Sequence, residues 1–317
     1  MGWWLVDADT LAGSRFLVSP LAETIACLKL LHRARAAHPG EREWLDTWLP
    51  AYRERLDSVD ALLVDAALRP TWTADFLAPT PTGEERAFEE ELAVVRDYPP
   101  ERALEDLAVS LGGPVPPRLR RSDLPGRAAD LVAWIWREAV LPTWDRRRRV
   151  LEADIVARTA QLTQGGWAAA FHDMRPGMRW LGKGKLQINA YDNPPRDISG
   201  GRLMFVPVTP HVGQVSWDSG RYALVYPCSG VLVEPSRRAP EALGRLLGTA
   251  RATVLVLLGQ PKSTTQLVAL TGQGLGSVGR HLKVLMDAGL IQRRRAGRSV
   301  LYYRTPAGDV LTRAGTR

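Results

Sequence analysis

Residues 261–306 read PKSTTQLVALTGQGLGSVGRHLKVLMDAGLIQRRRAGRSVLYYRTP, and few folds accommodate that order of parts. A short helix-forming run comes first, then a glycine-rich turn, then a longer amphipathic run. At about 100° per residue, Leu275, Val278, Leu282, Leu285 and Met286 fall on one face of the longer run. Gly276, Ser277, Arg280 and Lys283 fall on the opposite face, with His281 flanking them and Val284 projecting among them. Gly289 follows as a residue free to take φ > 0 and so ends the helix. Residues 290–295 and 300–304 then alternate as the two strands of a hairpin turning at Gly297-Arg298. A helix buried in an ordinary core accounts for the apolar stripe, but not for the arginine-rich hairpin beside it.

The pattern is that of a winged helix-turn-helix: one helix offered to a DNA major groove and a basic wing offered to the adjacent backbone. Charge agrees. Residues 241–317 hold 12 Lys/Arg and 3 Asp/Glu, a net +9, whereas the whole chain is +8. The excess positive charge therefore belongs to the C-terminal module, as phosphate binding requires.

The segment closely resembles the ArsR/SmtB-type winged-helix repressors. The matching elements are Ser263-Thr264-Thr265-Gln266-Leu267, Gly276-Ser277-Val278 with Arg280-His281-Leu282, Leu285 through Ala288-Gly289-Leu290, and the wing Arg294-Arg295-Ala296-Gly297-Arg298-Ser299-Val300-Leu301-Tyr302. The resemblance implies a homodimer that binds an inverted-repeat operator in double-stranded DNA and represses. The implied DNA contacts are Thr264, Thr265 and Gln266 at the start of the first motif helix, Ser277, Arg280, His281 and Lys283 on the recognition helix, and Arg294, Arg295, Arg298 and Tyr302 on the wing. Two departures weaken the match. Gly274-Leu275 stand where the family places Ser-Pro, and Gly279 stands where Ser or Thr is common. The thiol pair of the family's metal sensors is also missing, since the first motif helix reads Thr264-Thr265-Gln266-Leu267-Val268-Ala269-Leu270.

A chain of 317 residues has room for two or three domains with ample core. The expected fold is α+β. Residues 1–180 form a mainly helical domain that senses a signal or organises a dimer. Residues 181–239 form an antiparallel β region and connector, and residues 240–317 form the winged helix-turn-helix. Helices are expected from Ser19-Pro20 to about residue 37, over 41–65, 84–95, 125–139 and 144–164 with a stop at Gly165-Gly166, and over 167–174. Strands are expected at 185–191, 203–208 and 222–226, with a connector at 235–240. Leu11-Ala12 through Arg15-Phe16, Val18-Ser19-Pro20-Leu21, Leu151-Glu152-Ala153-Asp154-Ile155 and Leu224-Val225-Tyr226-Pro227 resemble an uncharacterised module found before ArsR-type winged helices in high-GC bacteria.

All 11 tryptophans lie between Trp3 and Trp217. They bury large areas and can line a pocket. Trp44, Trp48, Trp134 and Trp136 are the candidate ligand residues, for an apolar or amphipathic small-molecule effector. The run Arg146 to Arg149 reads as a solvated helix face or as intramolecular ion pairs, and Glu89-Glu90-Glu91 as an exposed acidic face. His172, Asp173 and His211 lack the spacing of a metal site, so no metal or other cofactor is expected. No phosphate-binding loop, nucleophile elbow or dinucleotide fingerprint occurs, which points away from an enzyme. The alternative is an enzyme or protein-interaction domain carrying a DNA-binding tail. No apolar run reaches the roughly 20 residues of a membrane span. The opening MGWWLVDAD lacks the features of a signal peptide, and the two cysteines make no disulfide framework. A cytoplasmic location is the expectation.

Overall fold

Trp3–Leu5 form a strand, β1, in the computed structural model, which describes residues 2–172, 174–191, 193–228, 240–259, 262–296 and 299–314. A short helix α1 (Ala8–Ala12) follows, capped by Asp7, whose carboxylate accepts the Thr10 N–H at 2.7 Å. Strand β2 (Arg15–Phe16) leads into α2 (Pro20–Arg33). Ser19 caps α2 by accepting the Ala22 N–H at 3.0 Å, and Pro20 occupies its first turn, as the sequence predicts. The first twelve residues of α2 are all buried, so it is a central helix with no solvated face.

The single helix expected over residues 41–65 is two, α3 (Pro39–Arg55) and α4 (Ser58–Ala67). Leu56 is extended, and the Asp57 side chain accepts the Val59 and Asp60 N–H groups, each at 2.8 Å. A strong cap inside an apolar-periodic stretch starts a new helix, and periodicity alone does not reveal it. Next come α5 (Phe88–Arg96), α6 (Pro100–Leu111), which the sequence reading did not anticipate, and α7 (Leu124–Ile135). Helix α8 (Trp144–Phe171) is broken at Gly166 (φ +66°, ψ −171°), where the Gly165-Gly166 pair predicts a stop.

The strands then run β3 (Arg179–Gly182), β4 (Lys185–Gln187), β5 (Arg196–Asp197), β6 (Arg202–Val208), β7 (Gln214–Asp218) and β8 (Arg221–Pro227). They do not form the expected antiparallel region. One sheet has the order β3-β4-β1-β5, with β1 and β5 parallel. The other has the order β2-β6-β8-β7, in which β2, β6 and β8 are mutually parallel and only β7 is antiparallel. The physical reason lies in burial. Strands β6 and β8 are covered on both faces, and strands of that kind carry continuous apolar runs such as LMFV and ALVY rather than an alternation. Leu203 and Phe205 point into a cluster with Trp4, Phe171 and Tyr226, while Met204, Val206 and Val208 pack with Ala22 and Ala26 of α2. The β region is therefore built together with the first residues of the chain.

By internal contacts the chain divides into Met1–Leu151 with Arg158–Leu232, and Val233–Arg317 with Glu152–Ala157. The second unit holds α9 (Glu241–Leu247), α10 (Thr249–Leu257), β9 (Lys262–Ser263), α11 (Thr264–Thr271), α12 (Leu275–Asp287), β10 (Ile291–Ala296), β11 (Ser299–Arg304) and α13 (Pro306–Ala314). Its core joins Val254 and Leu255 of α10, Leu267 of α11, Val278, Leu282 and Leu285 of α12, and Ile291. Its sheet has the order β10-β11-β9. Residues 229–239, which include most of the expected connector, lie outside the described residues.

Candidate nucleic-acid interface

A reciprocal cap starts α11. Ser263 Oγ accepts the Gln266 N–H at 3.2 Å, and Gln266 Oε1 accepts the Ser263 N–H at 2.8 Å. The Gln266 carbonyl is thus committed to the cap, and Thr264, Thr265 and Gln266 are all half-buried. Gly272 ends α11 at φ +67°, a conformation that favours glycine, and its N–H closes on the Val268 carbonyl at 3.0 Å. Gly274 opens α12 with no side-chain cap, the weakness its sequence implies.

Burial sorts the faces of α12. Val278, Leu282 and Leu285 are buried, and Met286 packs against the same core. Leu275, expected on that stripe, is instead 64% exposed, because the first helical position projects past the core beneath the helix. Gly276, Arg280 and Lys283 are exposed, as expected of the outward set, and Gly279 and Val284 stand exposed among them. A Cβ added at Gly276 or Gly279 would meet nothing within 4 Å, so this face is flat as well as polar.

Ser277, expected on the outward face, is instead half-buried beside the flanking His281. Ser277 Oγ lies 3.2 Å from Gln273 Oε1 and 3.3 Å from His281 Nε2. Burial and, secondarily, the charges of Arg251 and Arg280 hold the His281 imidazole below its usual range. It therefore presents a neutral ring with one donor and one acceptor. Arg280 and Lys283 are the exposed Lys/Arg side chains of this helix.

The hairpin pairs Arg293 with Tyr302, Arg294 with Leu301 and Arg295 with Val300. Gln292, Arg293 and Arg294 are exposed on both faces of the strand. Arg293, absent from the sequence-based contacts, is as available as Arg294, because neither face of the wing strand is covered at that point. Tyr302 is half-buried and packs against the core, so its ring serves the fold. Arg298 and the Arg295 side chain lie outside the described residues.

Residues 250–293 match the family model for the bacterial regulatory protein, arsR family. The matched segment, from α10 into β10, is similar to an ArsR-type helix-turn-helix, and a domain of that kind suggests a DNA-binding transcription regulator. No curated protein and no solved structure matches the chain.

Of the four tryptophans proposed for a ligand, Trp136 lines a cavity together with Phe88 and Trp144. Trp44 is 5% exposed, with the Arg147 guanidinium 5.9 Å from its ring centroid. Trp136 is stacked on Phe88 at 4.4 Å and meets Trp144 edge-on at 5.2 Å. Trp48 and Trp134 are half-buried. These rings project from or just beyond α3 and α7, and helix packing absorbs such faces first. Trp4, Trp72 and Trp217, which project from strands and a loop, line a different cavity.

Two charged runs also resolve. Arg147 is buried against Glu23 at 2.6 Å, while Arg148 meets Glu85 at 3.1 Å on the surface. Glu89 and Glu90 are exposed, but Glu91, expected on that same surface, is buried. Its Oε2 accepts from Ser19 Oγ and from the Leu21 N–H, both at 2.9 Å, so it completes the cap of α2. Burial pushes its carboxyl up to about 7 despite those hydrogen bonds. Among the described residues no three of His, Cys, Asp and Glu converge as metal ligands. The His211 N–H donates to Glu41 Oε1 at 2.5 Å, and Asp173 lies outside the described residues. No helix among the described residues is long and apolar enough to cross a membrane.

Proposed function

We propose that this chain is a transcriptional repressor that reads an inverted-repeat operator as a homodimer and is modulated by a signal at its N-terminal unit. The observation that carries the reading is α12, which shows Arg280 and Lys283 on a flat outward face beside exposed wing arginines, in a module of net charge +9. Arg280 reads base edges, Lys283 and the wing arginines neutralise phosphates, and Ser277 and His281 contribute from the flank. Dimerisation is supported by Leu246 of α9 and Val310 of α13, 67% and 61% exposed. Beneath them Leu243, Ala252 and Val256 form a small core with Leu247 and Leu311 packed on it. Covering such residues with a second copy removes apolar area from water and sets two recognition helices a fixed distance apart.

The protein acts by binding DNA rather than by transforming a substrate. A ligand regulates it only through different affinities for DNA-competent and DNA-incompetent states. The test is selection of bound sequences by the full-length protein from random duplexes, followed by mobility shift. Recovery of a palindromic site bound at two chains per duplex supports the reading. Uniform, strongly salt-sensitive binding to every duplex would overturn it.

A further inference from the structure

The first unit contains a cavity of about 480 Å³. Its lining sorts by chemistry. Lys29, Arg33, Arg69, Arg175 and Arg196 contribute cations, and among the described residues Asp75 is the one carboxylate facing them. Trp4, Trp72 and Trp217 contribute flat apolar surface, with Tyr191 beside them.

Lys29 is the decisive residue. It is 5% exposed and extends from α2, and its Nζ donates to Gln214 Oε1 at 2.5 Å. Arg175 reaches the same residue, donating to the Gln214 backbone carbonyl at 3.2 Å. Both cations are thus held by one neutral residue and converge with no carboxylate between them. Like charges buried together cost free energy unless an anion compensates them. Burial, followed by the charges of Arg33 and Arg175, pulls the Lys29 ammonium well below its usual value, and burial pulls Arg175 down to about 10. Two further buried cations in this unit are treated differently: Arg147 faces Glu23 directly, and Arg158 donates to the Ala170 and His172 carbonyls at 2.9 and 3.0 Å.

The aromatic side is equally organised. Trp72 meets Trp217 edge-on at 5.6 Å, and Arg196 covers the Trp217 ring at 4.3 Å. Exposed Arg33 and Arg69 stand on the solvent side, where they attract an anion before it reaches Lys29.

We infer that this cavity binds a small organic anion with a flat aromatic body, the acid group held by Lys29 and Arg175 and the ring against Trp72 and Trp217. The volume suits one molecule of that class. Binding at this site stands on the cavity alone, while the ligand's role as the regulatory signal rests on the repressor reading above.

The test uses the full-length protein and naphthalene-2-carboxylate as probe, with 2-naphthamide and inorganic phosphate as comparisons, by titration calorimetry and thermal melting. The carboxylate is expected to bind and raise Tm, with the amide at least about tenfold weaker, since one lost charge-assisted contact is a factor of that order. Phosphate is expected to bind more weakly than the carboxylate, because it leaves the aromatic wall unused. Lys29→Met is expected to abolish carboxylate binding while leaving the Tm of the ligand-free protein equal or higher. A lysine with a purely structural role predicts a fall in Tm instead. Arg33→Gln, at an exposed position, is expected to fold normally and weaken the carboxylate severalfold. Equal binding of acid and amide, no binding of the carboxylate at millimolar concentration, phosphate binding as tightly as the carboxylate, or a destabilised Lys29→Met with unchanged affinity would each overturn the proposal. Mobility shift with and without the probe reads the regulatory role separately: binding without any change in operator affinity leaves the site intact and removes its role as the signal.

Discussion

Replacing Arg147 with Met tests how the first unit is held together. Arg147 is 3% exposed and Glu23 is 0% exposed. Its Nη1 donates to Glu23 Oε1 at 2.6 Å and to Thr209 Oγ1 at 3.0 Å, and its Nε donates to Thr143 Oγ1 at 2.9 Å. Glu23 Oε2 accepts the Thr209 N–H at 2.7 Å. One ion pair therefore ties α2, the start of α8 and the end of β6. Arg147→Met preserves volume but leaves a fully buried carboxylate with no cation, which costs about 3–5 kcal/mol. For a unit of this size each kcal/mol moves Tm by about 2–4 °C, so a fall of roughly 6–20 °C is expected. Adding Glu23→Gln removes the stranded charge and keeps an acceptor for the Thr209 N–H. The double variant should then recover about 1–3 kcal/mol relative to the sum of the single losses. Urea unfolding followed by tryptophan fluorescence isolates this unit, because every tryptophan lies between Trp3 and Trp217. A loss below about 1 kcal/mol for Arg147→Met, or additive single losses, would refute the reasoning.

Three further outcomes are expected. Arg280→Ala should cost about 1–3 kcal/mol of operator affinity and relax base preference, whereas Arg294→Ala should weaken all sequences alike and flatten the salt slope by roughly one ion; titrations at several salt concentrations separate the two. Glu91 has its carboxyl raised from 4.5 to about 7, chiefly by burial, so its contribution is fully present below pH 4.5 and is lost as pH rises through 7. Glu91→Gln should therefore flatten the fall in stability between pH 5 and 8, by at most about 3 kcal/mol, as read from urea midpoints across that range; an unchanged pH profile would count against it. Chelation should leave operator affinity unchanged, and elemental analysis should find substoichiometric zinc, whereas one tightly held zinc per chain would reopen the question of His172 and His211.

The DNA-binding unit was legible because its determinants are local. The Ser263–Gln266 cap, the turn at Gly272, the stripe of α12 and the stop at Gly289 (φ +68°) each involve residues within one or two turns of each other. Periodicity and cap chemistry encode relations of that kind directly. What escaped the sequence even here were exposures set by neighbouring elements: Leu275 turned out to solvent, Tyr302 turned in, and Arg293 displayed.

In the first unit the helix existence and cap at Ser19-Pro20 followed from sequence alone, and so did the break at Gly166. The assembly did not. Trp3 pairs with Gln187, Arg15 with Met204, and Arg202 with Arg221 in parallel, and no local pattern specifies such partners across long stretches of chain. The same holds for the buried groups. Glu23, Arg147 and Thr209 meet from three distant segments, as do Lys29, Arg175 and Gln214. Sequence determined which side chains carry charge and which stretches bury a face. Tertiary structure alone decided which charges lost their water and which of those received a partner, because desolvation depends on everything packed around a group and not on its neighbours in the chain.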